Sequence, residues 1–235
     1  MNYKNNLLKL IDFDKSFLKI CKGYQFIGID EVGRGALAGP VIACAFSWKK
    51  NLNKIASDYS SKLQILNDSK QLNSKQRNQI YKILVNAGNF AVGYASVQEI
   101  EKLNILNATF LAMKRAFEKL ILSCEQIDSN QYILVDGNKF NPYINCRQIP
   151  IIGGDTKSSL IAGASVIAKV YRDCLMHRLS KSNKYKCFGW NKNVGYGTAH
   201  HCMAIKKYGL TPIHRKLFVR KILAKPASFV KDLLL

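Results

Sequence analysis

Apolar and polar positions along the chain fall into blocks of different period. Leu7, Leu8, Ile11, Phe17, Leu18 and Cys21 recur at helical spacing, which predicts a short amphipathic helix over 2–21. Next comes Phe26-Ile27-Gly28-Ile29, an apolar run that stops at two adjacent carboxylates, Asp30 and Glu31. Gly33-Arg34-Gly35 follows, and after Pro40 a second apolar run covers 41–46. The pattern predicts strand, acidic site, tight turn, strand. Ser74 is placed to cap a helix that carries Ile80, Ile83 and Leu84 on one face. Residues 90–97 alternate loosely and predict a third strand. Over about 98–122, Leu103, Leu106, Phe110, Met113, Phe117 and Leu120 return every three or four residues, the core stripe of a helix.

Tyr132-Ile133-Leu134-Val135 is apolar without alternation, as in a strand buried on both faces, and it ends in Asp136. A shorter last strand is expected over 148–152. Gly153-Gly154-Asp155 then turns into a long helix over roughly 156–181, whose Ala162-Gly163-Ala164-Ser165 lets it lie close to a sheet. Thr198 can cap a helix running to Tyr208. Strands interspersed with helices of this length predict an α/β fold.

Composition sharpens this picture. With 235 residues, 48% of them hydrophobic, the chain can bury a sizeable core in one domain. The 36 Lys and Arg against 15 Asp and Glu leave a net charge of +21, which points to a polyanionic partner, most simply nucleic acid. The seven cysteines are scattered without a C-x-x-C pair, so neither a zinc site nor a disulfide framework is expected. No secretory leader and no apolar run of spanning length is visible, and a cytoplasmic location is expected.

The acidic turn is the chemical centre. Ionised Asp30 and Glu31 offer only oxygen acceptors, which suits a hard divalent cation. Arg34 brings a planar, permanently charged fork suited to phosphate. A surface hairpin with solvated charges fits the same residues. A dinucleotide fingerprint fits less well, because Pro40 leads into a strand where that motif needs a helix. Asp136 stands where functional groups gather beyond strand ends, although an Asp-Gly turn is a common bland alternative. Lys169 and Asp173 share a helix face, as a surface ion pair also does. Asp30 and Glu31 are neighbours, so on a regular strand they face opposite ways, and a bend is expected to bring them together. His200 and His201 lack a partner at metal-ligand spacing and are expected in the core or at the surface.

Gly28-Ile29-Asp30-Glu31-Val32-Gly33-Arg34-Gly35 followed by Ala38-Gly39-Pro40-Val41 closely resembles the signature of bacterial ribonuclease HII. Asp68-Ser69-Lys70, Asp136-Gly137, Tyr171-Arg172-Asp173, Gly195-Tyr196-Gly197-Thr198 and Thr211-Pro212-Ile213-His214-Arg215 follow in the order of that family. The resemblance implies a ribonuclease H-like core: a mixed sheet of about five strands, helices on both faces, and a C-terminal helical extension. It implies a catalytic domain over 1–210, with the lead-in 1–22, and a basic extension over 211–235 packed on the same domain.

By the same resemblance, Asp30, Glu31, Asp136 and Asp173 are catalytic, the first three binding Mg²⁺ or Mn²⁺. Gly33, Arg34, Gly35, Lys70, Lys169 and Tyr196 contact the substrate. The implied reaction is two-metal hydrolysis of the RNA strand of RNA/DNA hybrids and 5′ to ribonucleotides in duplex DNA, leaving 3′-hydroxyl and 5′-phosphate. A monomer without an identifiable protein partner is expected. Asn193-Val194 replaces the family's His-Lys, which removes one phosphate-binding lysine. Two alternatives are a non-catalytic basic nucleic-acid-binding protein and a DNA-only nuclease on the same fold. The surviving carboxylates disfavour the first, since a pure binder gains nothing from anions facing phosphate. The intact turn and Tyr196 disfavour the second.

Overall fold

The computed structural model describes residues 5–21, 23–125, 127 and 130–224. Residues 2–4 of the expected first helix and 225–235 of the expected extension lie outside the described residues. Five strands form one mixed sheet: β1 (Gln25–Val32), β2 (Val41–Trp48), β3 (Gly88–Ala95), β4 (Gln131–Asp136) and β5 (Arg147–Ile151), in the order β3-β2-β1-β4-β5. β1, β2 and β3 are antiparallel neighbours, while β1, β4 and β5 run parallel. The chain can therefore turn tightly between the first strands but needs helical crossovers to reach β4.

Alternate residues of the central strands feed two cores. On one face Ile42, Cys44, Phe46 and Leu134 pack beneath α1 (Asn6–Ile20), α3 (Ser74–Ala87) and α5 (Ser159–Ser180), along with the short α2 (Leu52–Tyr59). On the other, Ile27, Ile29, Ala43, Ala45, Ile133 and Val135 pack beneath α4 (Val97–Ser123). A third cluster joins Leu37, Ala38 and Met176 to Phe188, Trp190, Cys202, Ile205 and Val219. It seats α6 (Trp190–Asn193), α7 (Ala199–Tyr208) and α8 (Lys216–Leu223). Among the described residues, no helix is long and apolar enough to cross a membrane.

Local chemistry sets the helix ends. α3 starts one residue earlier than its sequence suggests: Asn73, not Ser74, is the cap, and Gln76 closes the capping box. Ser158 caps α5 after a single 3₁₀ turn, Gly154–Thr156, and Thr198 caps α7 as expected. α4 is not one continuous helix. Asn104 holds φ 64° and ψ 167°, and its side chain accepts from the backbone N–H of Leu106 and Asn107, starting a second helical segment. The apolar stripe runs through this break, so periodicity alone reads it as one helix. α2 was not anticipated; its eight residues bury only Ile55 and leave little periodic signal.

Candidate active site

β1 and β4 are adjacent and parallel, so their carboxyl ends open at one edge of the sheet. β1 delivers Asp30 and Glu31 there, and β4 delivers Asp136. β1 keeps unbroken register with β2 through Val32, with Asp30 opposite Cys44 and Glu31 opposite Ala43. No bend separates the two acids, and they leave opposite faces. Asp30 shares the α5 face with Asp136, while Glu31 starts on the other face at the strand end and still lies close enough to Asp136 and Lys70 to feel both charges. Glu31 sits near the end of its strand, and its Oε1 accepts from Arg34 Nη1 at 3.1 Å.

α5 lies along β1 in the same direction. The Leu160 backbone occupies the space a side chain on Gly28 would need, the Ser165 hydroxyl donates to Asp30, and Arg172 lies on Gly33. Asp173 therefore stands at the level of the glycine-rich turn, beyond Asp30. Its carboxylate is held by Lys169 Nζ at 2.9 Å and Arg77 Nη1 at 3.4 Å.

Burial pushes the Asp30 carboxyl well above the usual carboxylate range, and the negative charges of Glu31, Asp136 and Asp155 push it further. The Ser165 hydroxyl offsets only part of this. Glu31 is raised as well, first by burial and then by Asp136, against the pull of Arg34 and Lys70. Burial works against the Lys70 ammonium, yet Asp68, Asp30 and Asp155 together hold its pKa above the ordinary lysine value. Lys70 is thus drawn into the acidic cluster. The remaining carboxylate contacts are internal: Asp30 Oδ1 accepts from the Glu31 N–H, and Asp136 Oδ1 from the Gly154 N–H, both at 2.7 Å.

Asp155 escaped the sequence reading. Burial and repulsion from Asp136 and Asp68 push its carboxyl up to about 6, against Lys70. A signal was available, since Gly153-Gly154-Asp155 directly follows a strand at the same sheet edge. Three more side chains support the cluster. The Ser165 hydroxyl also lies 3.0 Å from Ser69 Oγ, which can donate to it while Ser165 donates to Asp30. Arg77 donates to the carbonyls of Ser69 and Leu72, fastening the loop that carries Lys70. Asp68 turns that loop by accepting from the Lys70 N–H.

Tyr196 stands beside the turn. Its ring centre is 5.8 Å from Lys169 Nζ and 5.3 Å from the Arg172 guanidinium carbon. His201 and His214 lie in the core behind it. His201 Nδ1 donates to the Tyr196 carbonyl at 2.9 Å, so its Nε2 is the acceptor for Trp190 Nε1 at 3.0 Å. His214 Nδ1 accepts from the Thr211 N–H, which leaves its Nε2–H to face His201 Nε2 at 3.1 Å. Burial holds both imidazoles below the usual histidine range, His214 at about 4. Asn193 is buried and structural: it donates to the Phe188 carbonyl and accepts from the Gly195 N–H.

Among the described residues, no three acids, histidines or cysteines form a ready-made metal shell. The donors themselves fit a hard dication: all are carboxylate oxygens, and their mutual repulsion is what a bound cation would remove.

A model of the family Ribonuclease HII matches residues 27–221. The chain belongs to the ribonuclease HII family. Membership makes it a ribonuclease of the H type. A ribonuclease HII of Fusobacterium nucleatum is 47% identical over 199 residues, covering 84% of this chain and 86% of that protein. The fold matches the solved PCNA:RNase HII complex from Archaeoglobus fulgidus at a TM-score of 0.63 and 21% identity, covering 81% of this chain and 93% of that one. It also matches Bst-RNase HIII in complex with Mn²⁺ at 0.66 and 21%, covering 87% and 70%. The mixed five-stranded sheet and C-terminal helix expected from the sequence are those of the ribonuclease HII and HIII structures.

Proposed function

We propose that this ribonuclease HII hydrolyses the RNA strand of RNA/DNA hybrids and cuts 5′ to a ribonucleotide embedded in duplex DNA. The observation that carries the proposal is the crowding of Glu31, Asp136 and Asp155 around buried Asp30, one turn away from Gly33-Arg34-Gly35. Asp30, Glu31 and Asp136 would hold Mg²⁺ or Mn²⁺, with Asp173 at the margin of the cluster. Bound there, the cation supplies activation of water and charge stabilisation for an in-line phosphodiester displacement.

The chain's own residues do the rest. Lys70 and Lys169 bring positive charge to the scissile phosphate, and the carboxylates beside each restrain its position. The backbone of Gly33, Arg34 and Gly35 meets the 2′-hydroxyl, the group that separates RNA from DNA. Tyr196 offers an apolar face to the neighbouring sugar, steadied by Lys169 and Arg172.

The deciding experiment is cleavage of a DNA duplex holding one ribonucleotide, in Mg²⁺ or Mn²⁺, beside an Asp30→Asn variant. The expected result is a cut immediately 5′ to the ribonucleotide by the parent, with the all-DNA duplex left intact. Asp30→Asn is expected to bind the duplex and lose at least about 10³-fold in rate. Equal cutting of the all-DNA duplex would overturn the ribonucleotide specificity.

A further inference from the structure

Two arginines lie behind the glycine-rich turn, and of these only Arg172 enters the chemistry above, through its place near the Tyr196 ring. Arg172, on α5, and Arg215, just before α8, are both 0% exposed. Neither forms an ion pair with a carboxylate among the described residues. Their hydrogen bonds go to backbone carbonyls, and Arg215 Nη2 is buried without a hydrogen-bond partner. Arg172 donates to Ala38 at 3.0 Å, Pro40 at 3.2 Å and Val194 at 2.8 Å. Arg215 donates to Arg34 at 2.8 Å and Gly39 at 2.9 Å. Burial lowers both guanidinium pKa values, and the Arg172 charge helps to bring Arg215 down to about 9. Burying two like charges without counter-ions is costly, so a purely structural task would be served better by neutral donors.

What they hold is the surface around the turn. Five carbonyls are gathered from two segments, 34–40 and 194, that meet again where the Leu37 and Ala38 N–H groups donate to Gly195 O. Val194 is β-branched yet sits at φ 42°, a conformation that persists only when its surroundings over-determine it, and Arg172 grips its carbonyl. The next residues are Gly195 and Tyr196. The same guanidinium lies near the Tyr196 ring. One pair of side chains therefore fixes both the turn and the tyrosine.

The two glycines of the turn then separate in role. Gly33 is buried at φ 94°, and a Cβ there would stand 2.2 Å from Arg172 Nε. Gly35 is exposed, and a Cβ there would meet nothing within 4 Å. Gly33 is bare to admit Arg172, whereas the bare side of Gly35 faces outward.

We propose that Arg172 and Arg215 are positioning residues that lock the turn and Tyr196 into one preset ribose-reading surface, with Gly35 as its open point of approach. This rests on the ribonucleotide reading given above. Because the surface is set before substrate arrives, discrimination costs no ordering of the turn on binding.

The test compares kcat/KM on two substrates, a duplex with one ribonucleotide and the same duplex in DNA, together with the ratio of their binding constants in EDTA. A ratio is immune to the fraction of protein folded. Arg215→Lys and Arg172→Lys are expected to lower the ribonucleotide preference about tenfold or more, beyond any loss common to both substrates. Gly35→Ala is expected to keep the parent's melting temperature and lose preference, and Gly33→Ala to lose melting temperature through collision with Arg172. These alanine variants decide the matter if the lysine variants do not fold. A parent that cuts neither duplex and prefers neither overturns this role and the functional reading together. A parent that cuts at the ribonucleotide, beside folded lysine variants or a Gly35→Ala variant that retain its full preference, overturns the positioning role alone.

Discussion

Burial and three neighbouring carboxylates hold the Asp30 proton far more tightly than water would, and the physical consequence is a site set against itself. Removing the charge should relieve it. Asp30→Asn is expected to melt higher than the parent in EDTA, by about 1–2 kcal/mol of stability, and to lose the rise in melting temperature that Mg²⁺ gives the parent. Thermal melts with and without Mg²⁺ check both. A variant less stable than the parent in EDTA would mean that Asp30 is a net structural asset, through Ser165 and the Glu31 N–H, rather than a strained ligand. The histidines behave oppositely. His201 and His214 have tautomers fixed by the Tyr196 carbonyl and the Thr211 N–H, so they serve as neutral struts behind Tyr196.

At the scale of elements, α4 shows how a helix can be interrupted without losing its face. Asn104 holds a positive φ and caps the second segment through two backbone N–H groups. Asn104→Ala removes the cap and keeps the strain, and is expected to cost about 1–2 kcal/mol in urea or thermal unfolding. At the start of α4, Ser96 and Glu99 form a capping box, and Arg115 bridges Glu99 at 2.6 Å from the second segment. This ion pair spans the break and lowers the Glu99 carboxyl to about 2, with the Arg115 hydrogen bond as its largest cause. The other element of consequence is α5. It follows β1 closely enough to put Ser165 beside Asp30 and Arg172 beside Gly33, so one helix supports both the acidic cluster and the turn.

For the whole molecule, charge and burial give two measurable outcomes. A net charge of +21 predicts that duplex binding weakens steeply with salt, by an order of magnitude or more between about 50 and 200 mM, with little dependence on sequence. Titrating affinity against salt checks it. Stability should also depend on pH through Asp14, which is not one of the acidic cluster. Asp14 on α1 is buried and accepts from the Ser159 N–H and hydroxyl at the start of α5. Burial, outweighing these hydrogen bonds, raises its carboxyl to about 7 from the 3.8 of an exposed aspartate. Below pH 4 the group is protonated folded or unfolded and has no effect. Between pH 4 and 7 only the unfolded chain releases the proton, so stability falls as pH rises, by up to about 4 kcal/mol. Above 7 the loss is complete. Asp14→Asn is expected to flatten much of that slope, as read by denaturation from pH 4 to 8. An unchanged slope would assign the dependence to the acidic cluster.

The sequence by itself determined the five strands, the major helices, the sheet's two apolar faces and the acids at the ends of β1 and β4. Each of these is written in contiguous residues: a run, a period, a cap, or a carboxylate at the end of an apolar stretch. Tertiary structure decided what depends on distance between remote segments. It chose the opposite faces of Asp30 and Glu31, because unbroken pairing with β2 leaves no bulge to turn them together. It brought Asp155 and Lys70 to Asp30, from a turn and a loop whose charges look solvated when read in line. It also buried Arg172 and Arg215, which any local reading places at the surface. A guanidinium can be buried only where folding has collected enough carbonyls to receive it, and four of those five carbonyls come from chain segments more than a hundred residues away.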